Sequence, residues 1–343
     1  MDRFASVRRH WAFDLSRSAL RIVLAATATV LSLAAFAQSA DSYPNRPVKL
    51  LVPYAPGGAT DIIARHLSIK LQEALGQPFV VDNRAGASGN IALEAAAKAA
   101  PDGYTLLVGN VSTNAINEST FAAVLQTRPS RDLVGISKLV EIPHVVVAAP
   151  SFPPNSVAEM IEWAKRNPGK LNYASAGLGT YPHLDMLRLL KAADIEATHI
   201  PYKGGGQAIA DVVAGHVPMT ITSVQATKSL VEGGKIKALA VTSAARSPAM
   251  PAVPTMTEAG VKPTDVELRF WFGIFGPKGI PDTVTAKLEK AISVVMADLR
   301  VRERLAALDI TPDYGPGRIL RTKLENEIKN WTKFIEEKGI KPE

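Results

Sequence analysis

The feature that most constrains this chain is a rhythm. From Val48 onward, short apolar runs alternate with amphipathic stretches: VKLLVPY, then Asp61 to Leu75, then FVV at 79–81, Ile91 to Ala100, and TLLVG at 105–109. Such alternation predicts an α/β fold with parallel strands, because a helix-length stretch between two apolar runs carries the chain back to start a neighbouring strand. Ile63, Leu67, Leu71 and Leu75 share one helical face, and Gly76 with Pro78 supplies the stop. The rhythm resumes after Pro143 with HVVVAAP. A helix is expected from Val157 to Arg166, opened by the capping pattern Ser156-Val-Ala-Glu159 and stopped at Pro168-Gly169. Strands are expected at 171–175, 198–202, 218–223, 236–243 and 269–276, and a helix at 282–299. Two charged helices follow, of which 325–338 is expected to present a solvated face. Ser247 to Pro254, with three prolines in eight residues, reads as connecting chain on a surface.

The amino-terminal residues have a different character. Arg3, Arg8, Arg9, Arg17 and Arg21 precede an uncharged apolar run from Ile22 to Ala37 that ends in Ala35-Phe36-Ala37. That pattern predicts a secretory signal over residues 1–37, cleaved before Gln38, since the run is shorter than the ~20 residues that span a bilayer. Removing it takes five Arg and two Asp and lowers the formal charge from +7 to +4 over 306 residues. The remainder is long enough for two domains and too weakly basic to suggest nucleic acid. With no cysteine in the chain, disulfides, thiol catalysis, cysteine metal sites and a lipidated amino-terminal cysteine are excluded together. A free periplasmic protein is the expectation.

Four glycine-rich turns carry the candidate site. They are Tyr54-Ala55-Pro56-Gly57-Gly58-Ala59-Thr60-Asp61, Arg84 to Asn90 with Ala87 and Ser88, Ser175-Ala176-Gly177-Leu178-Gly179-Thr180, and Lys203-Gly204-Gly205-Gly206-Gln207. Each follows an expected strand and opens an expected helix, where unpaired N–H groups and the helix dipole favour an anion. In open α/β sheets such loops gather at the carboxyl ends of the strands. One such turn alone is more often a matter of backbone geometry; four together point to a site. Thr60 is a candidate N-cap, and Asp61 either caps the same helix or holds a water or ammonium group. Tyr54 and Tyr202 are the aromatic candidates for a cleft, whereas Trp271 and Phe272 read as core. Asn110, Ser112 and Asn114 offer neutral donors after a strand. His183 either lines the cleft, in which case anion binding would tighten below about pH 6.5, or satisfies backbone groups at a helix start.

Catalytic signatures are missing: there is no Gly-x-Ser-x-Gly elbow, no Walker loop, no HExxH and no dinucleotide fingerprint. No catalytic residue, cofactor or metal ligand is assigned. A periplasmic enzyme acting on a small organic acid and a ligand sensor remain the alternatives to a receptor.

The blocks YPNRPVKLLVPYAPGGATD, NRAGASGN, PDGYTLL, PGKLNYASAGLGTYPHL, IPYKGGGQAIADVVAGHV and RSPAMPAVPTMTEAG resemble, in order, the substrate-binding proteins of tripartite tricarboxylate transporters, also called Bug receptors. The resemblance runs from Tyr43 to the carboxyl end. It implies a type II periplasmic-binding-protein fold whose two α/β lobes, joined by crossover strands, close on a ligand like a trap. The lobes would be 43–143 with 267–343, and 144–266. It implies a monomeric receptor for a small carboxylate, held by backbone amides and delivered to membrane subunits. On this chain the amide role would fall on Tyr54 to Asp61, including Pro56, Gly57 and Gly58, and on Ala85 to Gly89. The closing lobe would add Ser175, Gly177, Gly179, Thr180 and His183, with Tyr202, Lys203 and Gly204 nearby. Ser88 departs from the family's Gly-Ala-Gly-Gly and would bring a hydroxyl toward the site. Ser223 stands where relatives often carry an acidic or small residue, which disfavours an amino acid ligand.

Overall fold

The apolar runs become strands of two sheets in the computed structural model of the protein, which describes residues 43–261, 270–307 and 310–338. The segment read as a secretory signal lies outside the described residues, as does the expected lobe boundary at 266/267. The first sheet contains β1 (Val48–Val52), β2 (Phe79–Asn83), β3 (Thr105–Asn110), β4 (Leu133–Ile142), β10 (Phe270–Pro277) and β11 (Thr311–Pro316), in the order β11-β4-β10-β3-β1-β2. The second contains β5 (His144–Ala148), β6 (Asn172–Ser175), β7 (Thr198–Pro201), β8 (Met219–Ser223) and β9 (Lys237–Val241), ordered β7-β6-β8-β5-β9. Both sheets are mixed rather than parallel. β1 pairs in parallel with β2 and β3, but β10 runs antiparallel between β3 and β4. In the second sheet β5 runs antiparallel between β8 and β9. The reason is connectivity: β5 and β10 are the strands through which the chain enters each sheet from the other, so no crossover helix sets their direction. From Arg46 onward both sheets belong to one compact unit.

The α-helices of eight or more residues are α1 (Ala59–Leu75), α2 (Asn90–Ala97), α3 (Val157–Arg166), α4 (Tyr181–Ala193), α5 (Gly205–Val213), α6 (Val224–Glu232), α7 (Asp282–Ala297), α8 (Leu299–Ala307) and α9 (Gly317–Lys338). α1 buries Ile63, Leu67 and Leu71 and stops at Gly76, which adopts a left-handed φ of 72° while its N–H donates to the Gln72 carbonyl. α3 is capped as its sequence predicts: Ser156 Oγ accepts from the Glu159 N–H at 3.1 Å. The Glu159 carboxylate reaches Asn155 N–H, one residue earlier than a capping box requires. α9 presents the expected solvated face, with Glu325, Lys329 and Lys333 exposed, and packs its opposite face on the protein. Leu320, Leu324, Trp331 and Ile335 are buried, and Glu327 accepts from the Trp331 indole N–H at 3.0 Å. Residues 247–254 form no regular element, as expected, yet Met250 and Val253 are buried in the core around β5 and β8. Trp271 and Phe272 are fully buried core residues.

Among the described residues, one direct strand-to-strand connection joins the two sheets. β4 ends at Ile142 and β5 begins at His144, so Pro143 alone separates them. The returning strand β10 begins at Phe270, which pairs with Ile142. The first residue of the returning strand therefore lies beside the end of β4, next to the Pro143 connection.

Candidate functional site

The chain leaves β1 at Val52 and turns into α1, and the turn is held from beneath. Asp61 Oδ2 accepts from the Gly57 N–H at 3.0 Å and from Arg65 Nε at 2.9 Å, while Oδ1 accepts from Asn83 Nδ2 at 3.0 Å. The same Asn83 amide donates to the Tyr54 carbonyl. Burial works against the Asp61 carboxylate, but the bonds from Arg65, Gly57 and Asn83 outweigh it and hold its pKa below the ordinary value. Asp61 is thus a brace for the glycine turn, with both oxygens engaged by the protein, and not a group offered to a ligand. Gly58, not Thr60, is the N-cap of α1. Thr60 lies inside the first turn and its Oγ1 accepts from Asn110 Nδ2 at 3.1 Å.

Gly58, Ala59 and Thr60 line a cavity of about 40 Å³, and their helix start supplies first-turn N–H groups that lack an intrahelical acceptor. Three more helix starts reach the same cavity. Ala176, Thr180 and Pro182 bring the start of α4, Gly205 that of α5, and Thr222 with Ser223 that of α6. Tyr54 and Ser112 complete the wall from the first sheet, and His144 and Phe270 from the two crossovers. No Lys, Arg, Asp or Glu is among these lining residues. At roughly 10–15 Å³ for each water-sized group, the cavity holds about three such groups, the size of one carboxylate.

Of the residues singled out in the sequence, Tyr54, Gly58, Thr60, Ser112, Thr180 and Ser223 line this cavity, together with Ala59, Ala176 and Gly205 of the glycine-rich turns, and the others lie behind or beside it. Asn110 braces the wall: its Oδ1 accepts from the N–H groups of Ser112 and Thr113. Ser175 bonds within its own loop, donating to the Gly177 carbonyl and accepting from the Gly177 N–H, and it contacts His199 at 2.6 Å. His183 accepts the Gly179 N–H at its Nδ1, 3.1 Å away, and stacks on His199 with centroids 4.1 Å apart. Burial, reinforced by His199, pushes the His183 pKa down to about 3. His183 therefore stays neutral at acid to neutral pH, and the backbone-satisfying role replaces the expected pH-dependent clamp. Tyr202 donates its hydroxyl to Asp211, and Lys203 is exposed. The sequence reading missed His144 and Phe270. The only signal for either was position, next to Pro143 and at the head of the returning strand.

Several predicted residues instead join the two sheets' loops across the crevice. The Ala55 N–H donates to the Lys203 carbonyl at 3.1 Å, the Tyr181 N–H donates to Ser112 Oγ at 2.9 Å, and Ser88 Oγ donates to the Leu178 carbonyl at 2.7 Å. Gly204 and Gly206 lie directly against Ala55, Pro56 and Gly57; a Cβ on Gly206 would come within 2.3 Å of the Pro56 carbonyl oxygen. Ala87 and Ser88 both adopt left-handed φ, at 47° and 53°. The Ser88 hydroxyl thus serves contact between loops; Ala87 and Ser88 do not line the cavity. A larger groove of about 370 Å³ lies along α1, α7 and α8. It is mainly apolar, with His66, Lys70, Arg300 and Arg304 among its lining, and contains none of the predicted site residues.

Comparison with known proteins agrees with this arrangement. Residues 63–340 match the family model described as "Tripartite tricarboxylate transporter family receptor". A Pseudomonas sp. (strain P51) protein, described as the UPF0065 protein in the tcbD-tcbE intergenic region, is 38% identical over 325 residues, covering 94% of this chain and 96% of its own. Among solved structures, the periplasmic binding protein BugD superposes with a TM-score of 0.83 at 33% identity, over 88% of this chain and 100% of BugD. A Rhodopseudomonas palustris protein solved with adipate gives 0.83 at 34% identity, over 88% and 100%. MatC of Rhodopseudomonas palustris, solved with malate, gives 0.79 at 32% identity, over 85% and 99%. With the family model spanning most of the chain and both sheets shared with these binding proteins, the chain belongs to the tripartite tricarboxylate transporter receptor family.

Proposed function

We propose that this protein captures a small carboxylate in the cavity between its two sheets and presents the closed form to the membrane subunits of a tripartite transporter. The observation that carries this reading is the convergence of four helix starts on one small cavity whose lining has no charged side chain. Fixed amide dipoles there favour an anion without a buried counter-ion, whose desolvation would offset much of the gain. The carboxylates named for the two Rhodopseudomonas structures support the ligand class.

Binding proceeds by closure. The first lobe, 43–143 with 267–343, offers the Gly58 to Thr60 amides, and the second, 144–266, swings about the crossovers at Pro143 and Phe270. Shutting the crevice removes water, which strengthens each charge-assisted hydrogen bond. The bonds from Ala55, Tyr181 and Ser88 then hold the lobes together. The mature protein begins at Gln38, works in the periplasm as a monomer, and performs no chemistry. Ser223 and His144 are cross-strand neighbours and His144 contacts Asp185, yet the Ser223 hydroxyl makes no bond to the ring, so no nucleophile is activated.

The test is a melting-temperature screen of small organic acids on residues 38–343. An acid at a hundredfold excess over its Kd stabilises by about 2.7 kcal/mol and should raise Tm by roughly 5 °C. Solution scattering should show compaction with the same acid. No stabilisation by any acid, no compaction, or turnover of a hit or of a chromogenic ester would each end this reading.

A further inference from the structure

The groove along α1, α7 and α8 takes no part in capture between the sheets. It measures about 370 Å³, draws no described lining residue from the second sheet, and has an apolar floor of Ile63, Leu67, Leu139, Val140, Met296 and Leu305. Each of these residues is itself buried, so the opening runs down between the helices to β4 and is not a shallow face. That volume is typical of a small-molecule site. One turn of a helix about 10 Å across and about 5.4 Å long fills about 420 Å³, more than the groove holds. The apolar surface continues onto the rim: Ile69 lines the groove at 57% exposure, and Leu299, next in sequence to the lining residue Arg300, is 71% exposed. An apolar occupant would recover the free energy that such surface costs in water.

The charged groups around this floor are of one sign. Lys70 and His66 face it from α1, and Arg300 and Arg304 from α8, while no Asp or Glu is among the described lining residues. Lys70 is engaged by Glu73 at 2.7 Å and Arg300 lies 3.7 Å from Asp298; Arg304 has no carboxylate partner among the described residues. The positive field reaches across to α1: burial first, and then the Arg304 charge, hold the His66 pKa below its ordinary value. An apolar slot with a cationic mouth matches an apolar chain that ends in an anion.

We propose that this groove is a second ligand site, for a single-chain anionic amphiphile: an alkyl carboxylate whose chain lies on the apolar floor and whose head is met by Arg300 and Arg304. Its length follows from the volume. An apolar cavity of about 150 Å³ takes up benzene, with six carbons, so the groove holds roughly ten to fifteen. The site does not depend on the receptor reading, because it shares no described lining residue with the cavity between the sheets. α1 nevertheless serves both, giving its first turn to that cavity and its later turns to the groove.

The test is calorimetric titration of residues 38–343 with hexanoate, octanoate and decanoate below their micelle ranges, with decanol and decyltrimethylammonium as the neutral and cationic comparisons. One decanoate should bind per chain, and affinity should rise about two- to fourfold per added methylene, the range for half to full burial. Decyltrimethylammonium should bind about fivefold or more weakly than decanoate. Arg300→Glu combined with Arg304→Glu should weaken decanoate by about the same factor and leave decanol within twofold, which shows the fold and the apolar floor intact. Gly206→Ala, which acts on the crevice, should leave decanoate within twofold. Decanoate binding lost in Gly206→Ala and kept in the double variant would assign the chain to the crevice and overturn the groove site. Equal affinity for the anion and the cation would overturn it as well, as would the absence of saturable decanoate binding. Sedimentation with vesicles of anionic phospholipid in place of decanoate binding would give the groove to a membrane surface and overturn it too.

Discussion

Gly206→Ala places a methyl group where the closed crevice has no room for one. The new Cβ would stand 2.3 Å from the Pro56 carbonyl oxygen, 3.1 Å from Gly57 C and 3.2 Å from Gly57 Cα, all of them backbone atoms that cannot rotate away. Ordinary contact needs at least about 3.4 Å, so the α5 start must retreat from the first-lobe turn by roughly 1 Å. Overpacking of this kind costs about 1–3 kcal/mol, which corresponds to an affinity loss of about 5- to 150-fold at 1.4 kcal/mol per decade. The open protein has no such conflict, since the offending atoms belong to the opposite lobe. Gly206 has no left-handed φ, and alanine is the better helix former by up to about 1 kcal/mol. The unliganded melting temperature should therefore hold or rise while binding collapses. Calorimetry with any acid found by the stability screen reads the first quantity, thermal melts the second, and scattering at saturating acid should show a variant that no longer compacts fully. Affinity within twofold of the parent, with normal compaction, would refute the argument that these glycines exist for close approach across the crevice.

Three further outcomes follow from named contacts. Ser88→Gly removes the bond to the Leu178 carbonyl but keeps a residue suited to the left-handed φ; at about 0.5–1.5 kcal/mol for one hydrogen bond, dissociation should quicken about 2- to 12-fold with little change in unliganded stability. An unchanged off-rate would show that this bond does not hold the closed form. His183, with its folded pKa pushed down to about 3 from an unfolded value near 6.5, protonates more readily in the unfolded chain. Its stabilising effect is complete above about pH 6.5 and is lost as the pH falls toward 3, at about 1.4 kcal/mol per unit. Urea unfolding should thus show a loss of about 2–3 kcal/mol from this residue between pH 7 and 4.5, absent in His183→Asn, and a parent protein insensitive over that range would refute it. Ser156→Ala deletes the cap of α3 and should lower stability by about 1 kcal/mol without altering acid binding, because α3 does not reach the cavity. A change in affinity with that variant would contradict the site assigned here.

The strands and helices were readable because their signals are local. Ile63, Leu67 and Leu71 share a helical face and are buried together, and Ser156 caps the helix it was read as capping. Strand direction was less accessible. β5 and β10 lie antiparallel to their neighbours because the chain enters each sheet through them, a fact of connectivity that no run of apolar residues encodes. The missed residues share one cause. His144 and Phe270 sit in or beside apolar strand sequence, where residues usually read as core, and reach the cavity only because two crossovers meet beside it. Glycine was misread in the other sense: Gly204 and Gly206 looked like anion loops, and their geometry is that of surfaces brought into contact.

That misreading leads to the physical logic of the protein. A cavity lined by helix starts and lacking a charged side chain gains little from an anion while the crevice is open, because water competes for every amide and screens each partial charge. The same amides become effective only when the second lobe arrives and solvent leaves, so affinity resides in closure more than in either half of the site. Glycine turns that let backbone meet backbone are therefore as much a part of recognition as the donors beside them. An arginine in the wall would hold the carboxylate in the open state as well and would weaken the link between occupancy and shape. For a receptor whose occupied state must be distinguished by a membrane partner, a neutral wall and a close-fitting crevice couple those two properties more tightly than a salt bridge could.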